Sequence, residues 1–330
     1  MMSSDNRRPW VVAIALVVAA WTASTAGTAR GQTGPSLLVN PWATGQAIDT
    51  SSDVMIRAAT HTDSGQYAQI NDYHSEGRWR VLPDSDASPR LGYEVLDYDI
   101  NSSDRSLPSH LWNASIGFAQ PVARLPDNFF AVITAAVGYA GNKPFSDGDA
   151  YYATANLLIG KQFSDDKALI FDLNYDGNRT FLPDVPIPAL EYKDRVNEYL
   201  SYTIGAPINQ ITYTPLTGLQ IDAGWSLVTT FSARVGYKFA KPFELYGEYV
   251  DRLTGFHISA NNNSDSRQFF QERRVGAGMS WKPTRLISVG VLGGWAFQEE
   301  LYQGYDVRKY QVVRHFADGV YGSVQIDIGF

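Results

Sequence analysis

Ile287-Ser288-Val289-Gly290-Val291-Leu292-Gly293-Gly294-Trp295-Ala296-Phe297 is the stretch on which the reading of this chain turns. In an extended chain Ile287, Val289, Val291, Trp295 and Phe297 fall on one face, and Ser288, Gly290 and Gly294 fall on the other. The second face carries too little apolar bulk to be a core. The same period recurs upstream. Val275, Ala277, Met279 and Trp281 oppose Gly276, Gly278 and Ser280, and Phe231, Ala233, Val235, Tyr237 and Phe239 oppose Ser232, Arg234, Gly236 and Lys238. Leu219, Ile221, Ala223 and Trp225 oppose Gln220, Asp222 and Gly224, while Leu169, Phe171, Leu173 and Tyr175 oppose Asp172, Asn174 and Asp176. Trp112, Ala114, Ile116 and Phe118 oppose Asn113, Ser115 and Gly117. The pattern is an all-β one, and 13% aromatic residues, 28 Gly and only 18% charged residues agree with it.

Period two alone fits a soluble sandwich as well as a barrel, so the connections decide. Counting back from Phe330, the turns near 282–286, 240–242, 215–218, 164–168 and 122–127 are short. The alternate connections near 298–317, 254–271, 181–195 and 142–150 are longer and polar, with 226–228 the exception. Short turns on one rim and long loops on the other predict a transmembrane antiparallel up-and-down β-barrel of about 14 strands, with 12 the alternative, short periplasmic turns and longer outer loops. Ten residue steps of about 3.3 Å, tilted near 40°, span roughly 25 Å, the height of an apolar band in an outer membrane. Phe239, Phe243 and Trp281 adjoin short turns and Trp225, Trp295 and Tyr249 lie toward the long loops, the placement expected of two interfacial aromatic girdles.

The N-terminal region reads as targeting. Arg7 and Arg8 precede an apolar run from Trp10 to Trp21 and then small residues through Gly31. Twelve helical residues would span about 18 Å, short of a hydrocarbon core of about 30 Å, so residues 1–31 are expected to be a cleaved signal peptide. Residues 32–52 are expected to be a flexible periplasmic segment, and 53–330 the barrel. Without residues 1–31 the chain has 24 basic and 33 acidic residues, a net of −9, which argues against a nucleic-acid partner. Cysteine is absent, which excludes a disulfide scaffold, a thiolate metal site and a cysteine nucleophile.

The chain ends with Val320, Gly322, Val324, Ile326, Ile328 and Phe330 alternating with Tyr321, Ser323, Gln325 and Asp327. This end resembles the terminal signal of bacterial outer-membrane β-barrel proteins. The resemblance implies recognition of Val324, Ile326, Ile328 and Phe330 by the barrel assembly machinery, and location in the bacterial outer membrane after Sec-type export. The half from Tyr199 also resembles an uncharacterised outer-membrane β-barrel-like domain family of unknown function. The resembling features are the Gly205, Ala206, Pro207 break, then Ile211, Tyr213 and Pro215, and Glu272 through Trp281.

Chemistry is sparsely signalled. His61, His74, His110, His257 and His315 are scattered with no nucleophile motif, and Ser109 and His110 point to opposite faces in an extended stretch. His257 and His315 lie in expected outer loops within possible reach of Asp251 or Asp318. Asp147, Gly148 and Asp149 lack the ligand number of a calcium loop, and Asn261 to Ser266 reads as a solvated tip rather than a lipopolysaccharide contact. The expectation is therefore a barrel that is not an enzyme, with no catalytic, metal or cofactor site, bathed in outer-membrane lipid. Asp172, Asn174, Asp222, Arg234, Lys238, Glu244 and Glu248 are its lumen-lining candidates. With a turn at Ala240, Lys241 and Pro242, opposed residue numbers sum to 482, which predicts the pairs Lys238–Glu244 and Arg234–Glu248. The leading functional expectation is a passive pore or small-solute transporter. A structural or surface-interaction barrel with a plugged lumen is the alternative, and a hydrolase comes last.

Overall fold

The computed structural model describes residues 47–82, 88–226, 230–258 and 266–329, so the expected signal peptide, most of the lead-in segment and Phe330 lie outside the described residues. The described strands are β1 (Ile48–Arg57), β2 (Thr60–His61), β3 (Tyr67–Arg80), β4 (Arg90–Ser102), β5 (His110–Leu125), β6 (Phe129–Gly141), β7 (Tyr151–Ser164), β8 (Lys167–Asp176), β9 (Ile187–Arg195) and β10 (Leu200–Ala206). They continue with β11 (Ile208–Leu216), β12 (Leu219–Ser226), β13 (Thr230–Ala240), β14 (Phe243–His257), β15 (Arg267–Trp281), β16 (Ile287–Ala296), β17 (Glu299–Gly304), β18 (Tyr310–Phe316) and β19 (Gly319–Gly329). β1, β3 through β16, and β19 form a closed antiparallel barrel of 16 strands, sealed where β19 pairs with both β16 and β1. β1 begins at Ile48, five residues ahead of the expected boundary at 53.

Sixteen strands replace the expected 14 or 12, and both additional ones come from one region. The connection expected at 181–195 contains β9, paired with β8 from Asn174↔Ile187 to Lys167↔Asp194. The single strand expected beyond it is the hairpin β10–β11, bent at Pro207. Gly205 is needed there because a Cβ would come within 2.4 Å of the Leu190 carbonyl oxygen. On the rim that carries the short connections Gly218 turns β11 into β12 with φ +88°, a conformation that suits glycine. The short connections at 282–286, 240–242, 215–218 and 164–168 lie on this same rim, between consecutive antiparallel neighbours.

Outward faces are apolar and exposed, as Val54, Ile116, Val137, Leu173, Val235, Leu245, Val291 and Val324 show. Inward faces bury polar groups. At the outer end the wall departs from a simple tube. Among the described residues β13 pairs with β14 as far as Thr230↔Arg252, and β16 pairs with β15 from Arg274 onward. Beyond these points β14 and β15 stay paired with each other up to His257↔Arg267 and leave the wall together. β17 joins the free edge of β15 and β18 joins β17, so the region expected as a loop at 298–317 is a further hairpin.

This ribbon turns into the lumen. His257 pairs in parallel with Gly141 of β6, and β6 and β14 are separated by seven strands in either direction around the ring. Opposite walls therefore meet. Phe256 and Phe270 pack with Tyr98, Ile100, Leu111, Ala140, Leu301 and Phe316 in one buried apolar cluster. The other face of the hairpin, Leu253 and Phe269, packs on Tyr302 of β17.

Candidate functional site: an ionic cluster under the inward hairpin

On the side of that apolar cluster nearer the short-turn rim the lumen holds charge. Alternation places Glu248 and Arg252 on the inner face of β14 and Glu272 and Arg274 on that of β15; Arg57 ends β1, Asp72 lies on β3, and Glu299 opens β17. Glu272 is fully buried and is the hub. Its carboxylate accepts from Arg252 at 2.5 Å, from Arg57 at 3.3 Å and from the Tyr98 hydroxyl at 3.2 Å, and it pairs with Arg274 at 3.2 Å. Arg252 also donates to the Tyr98 hydroxyl at 2.9 Å, and Arg274 reaches Glu248 at 3.5 Å. Arg57 additionally approaches Asp72 at 3.5 Å and Glu299 at 3.1 Å. In a low-dielectric interior a charge left without its partner costs several kcal/mol, so this cluster couples the hairpin strongly to β1, β3 and β4.

The cluster was missed in the sequence because Arg57 and Glu272 are 215 residues apart, and no local pattern links them. The Glu272, Arg273, Arg274 run at the head of an alternating strand was the available signal.

The lumen candidates from the sequence are distributed around the wall. Asp172 is buried on β8, with Oδ1 lacking a hydrogen-bond partner. Asn174 receives a hydrogen bond from Arg179 and donates to Asn156, which donates to Thr134 at 2.7 Å. Asp222 accepts from Thr212 and Gln220, each at 2.8 Å. Arg234 and Glu248 stand opposite each other in the expected register, but a bulge between Tyr237 and Ala240 shifts the rest of that hairpin. The ion pairs are accordingly not the two expected. Arg234 pairs with Glu244 at 3.0 Å and lies 3.8 Å over the Tyr246 ring, Glu248 turns to Arg274, and Lys238 is exposed.

Trp225, Phe239, Trp281 and Trp295 are exposed on the outer wall, and Phe243 stacks on Phe239 with centroids 6.2 Å apart. Val324 and Ile326 are exposed there too, with Ile328 half-buried on the same strand. The histidines are dispersed. His74 lies 3.4 Å from both Asp53 and Glu94, His110 lies 3.3 Å from Asp97, and His315 lies 2.8 Å from Glu300 rather than beside Asp318. Asp251 pairs with Arg273 at 3.3 Å, while His257 ends β14 at the crossing point. Asp147 caps a short turn by accepting from the Asp149 amide at 3.1 Å. Of the expected solvated tip, 261–265 lie outside the described residues. Among the described residues no group of three or more His, Cys, Asp or Glu side chains is placed to hold a metal ion.

The fold and this site together define a closed, sixteen-stranded antiparallel β-barrel with an apolar outer wall and a lumen obstructed by its own strands. No protein-family model matches the chain and no curated protein matches it, so the family resemblance from Tyr199 onward finds no counterpart. Among solved structures it is similar to a deltaS2 mutant of the TodX monoaromatic hydrocarbon channel, with TM-score 0.40, 11% identity, and coverage of 90% of this chain and 93% of that one. The Pseudomonas putida toluene transporter TodX gives TM-score 0.39 at 10% identity over 90% of this chain and 92% of that one. A Pseudomonas aeruginosa FadL homologue gives 0.28 at 11% identity over 94% and 97%. No residue role is transferred at these scores.

Proposed function

We propose that this protein is a bacterial outer-membrane barrel through which a small solute passes when the inward hairpin moves aside. The carrying observation is that the obstruction consists of the outer ends of β14 and β15 with β17 and β18 behind them, inside a ring of 16 strands. Rings of 16–18 strands are wide enough for an aqueous channel when nothing fills them. The exposed apolar outer wall suits lipid, and the terminal strand suits recognition by assembly machinery. No catalytic role is proposed. A structural barrel with a permanently filled lumen is the second reading, favoured by the complete burial of Phe256 and Glu272.

Planar-bilayer conductance separates the two. Replacing residues 254–270 with a short turn removes the crossing segment while keeping the wall pairs below it. The shortened barrel is expected to conduct continuously, and the intact one intermittently or at lower current. A shortened variant that runs as a heat-modifiable barrel yet passes no current above background would overturn the pore reading.

A further inference from the structure

The ionic cluster divides unevenly. Arg252 and Arg274 are matched by Glu272 and Glu248 through the contacts already described. What remains is Arg57 in contact with Asp72 and Glu299, one contacting cation against two carboxylates, with Arg274 acting on both from farther off while engaged by Glu272 and Glu248. Arg57 Nη1 donates to the Ile70 carbonyl at 3.2 Å. Nη2 has two hydrogens, yet three carboxylate oxygens crowd it, from Glu272 at 3.3 Å, Asp72 at 3.5 Å and Glu299 at 3.1 Å. The geometry serves only Glu272 with a hydrogen bond; Asp72 Oδ2 and Glu299 Oε1 are buried and have none. The other charged groups facing this point are Asp53 on β1, Arg252 on β14 and Arg274 on β15; Arg252 and Arg274 are in ion-pair contact with Glu272 and Glu248, and the Tyr98 hydroxyl serves Glu272. Two like-charged carboxylates sharing one donor and little water favour keeping one of them neutral.

We infer that Asp72 and Glu299 together hold one resident proton in the closed barrel, so that closure of the inward hairpin is linked to proton binding and a rise in pH is an opening signal. This rests on the gated-pore reading above. Glu299 belongs to β17, which is not a wall strand, and its burial pushes the carboxyl up to about 7. Swung into water with the hairpin, a glutamate returns to about 4.3. The closed form thus binds the proton more tightly than the open form. Its extra stability is fully present below the open-state value and is lost as pH rises through about 7. Within that window the closing equilibrium weakens by up to about tenfold per pH unit for one linked proton.

The chain has no cysteine, so Thr254→Cys provides a single thiol, buried on the hairpin in the closed form. Its rate of labelling by a small maleimide reports opening, independently of whether current flows. The thiol itself ionises with pH, so rates are expressed as the ratio of the Thr254→Cys protein to the same protein carrying Glu299→Gln, whose neutral amide stands in for the protonated acid. The ratio is expected to climb by about tenfold or more between pH 5 and 7.5. Asp72→Asn should flatten the profile in the same way, and it serves as the comparison if Glu299→Gln does not fold. A ratio independent of pH in both comparisons would overturn the proton linkage, even if the shortened barrel conducts. A rising ratio in a protein whose shortened variant passes no current would support the linkage and overturn the pore.

Discussion

At the scale of single residues, position on the apolar outer face or in the lumen decides what a substitution costs. Glu272 collects three guanidinium groups and a tyrosine hydroxyl while fully buried. Glu272→Gln is therefore expected to destabilise the barrel by about 3–5 kcal/mol, because it strands arginine charge away from water; a denaturant titration in detergent or liposomes would show it as a lowered midpoint. Glu299→Gln should cost far less, since it removes the carboxylate in surplus. On the opposite face Val291 is exposed halfway along β16. Val291→Arg should cost about 2–4 kcal/mol near the bilayer midplane in the same titration. Gly290, one residue away, faces the lumen, and a Cβ there meets the Tyr246 hydroxyl at 3.2 Å. That hydroxyl is the far end of a side chain and can yield, so Gly290→Ser should be milder than the arginine substitution.

At the scale of elements, strands with a clean apolar face were legible and those with mixed faces were not. β12, β13 and the Val275–Trp281 half of β15 alternate cleanly, and the short turns beside them fall between consecutive strands as expected. β9 reads Ile-Pro-Ala-Leu-Glu-Tyr-Lys-Asp-Arg from Ile187, where a proline and four charged residues mask the period. A proline argues against an interior strand on sequence grounds, but Pro188 sits next to the outer start of β9. The inward hairpin was hidden differently. The connection expected at 254–271 was read as a polar outer loop, whereas Thr254, Gln268 and Gln271 within it are buried. Lumen-facing and water-facing strands share one composition, and only the ring closure distinguishes them. Phe270 anchors this element, 4.8 Å from Tyr98 and 6.1 Å from Phe316 between ring centroids. Phe270→Ala should cost about 3–5 kcal/mol if the whole barrel senses it. If the hairpin opens as a unit, hydrogen exchange should quicken selectively in 253–257, 267–271 and 299–304 while β5 through β8 stay protected.

At the scale of the whole molecule, a closed antiparallel barrel with an apolar outer face could be read from period and turn length, but the obstruction could not. A period describes one wall and is silent about what two opposite walls do to each other. The contact of His257 with Gly141 joins strands at the greatest possible separation around the ring. It also fixes an order of events in time. Both β6 and β14 can pair with their neighbours as the chain is added strand by strand, but the gap across the middle has no defined width until β19 meets β1. The crossing contact should consequently be the last to form during refolding. In a pulse-labelling experiment started from urea, heat-resistant migration and protection of β5–β8 should appear before protection of Leu253–His257. Simultaneous appearance would mean that the hairpin is already docked on the opposite strands while the seam is still open.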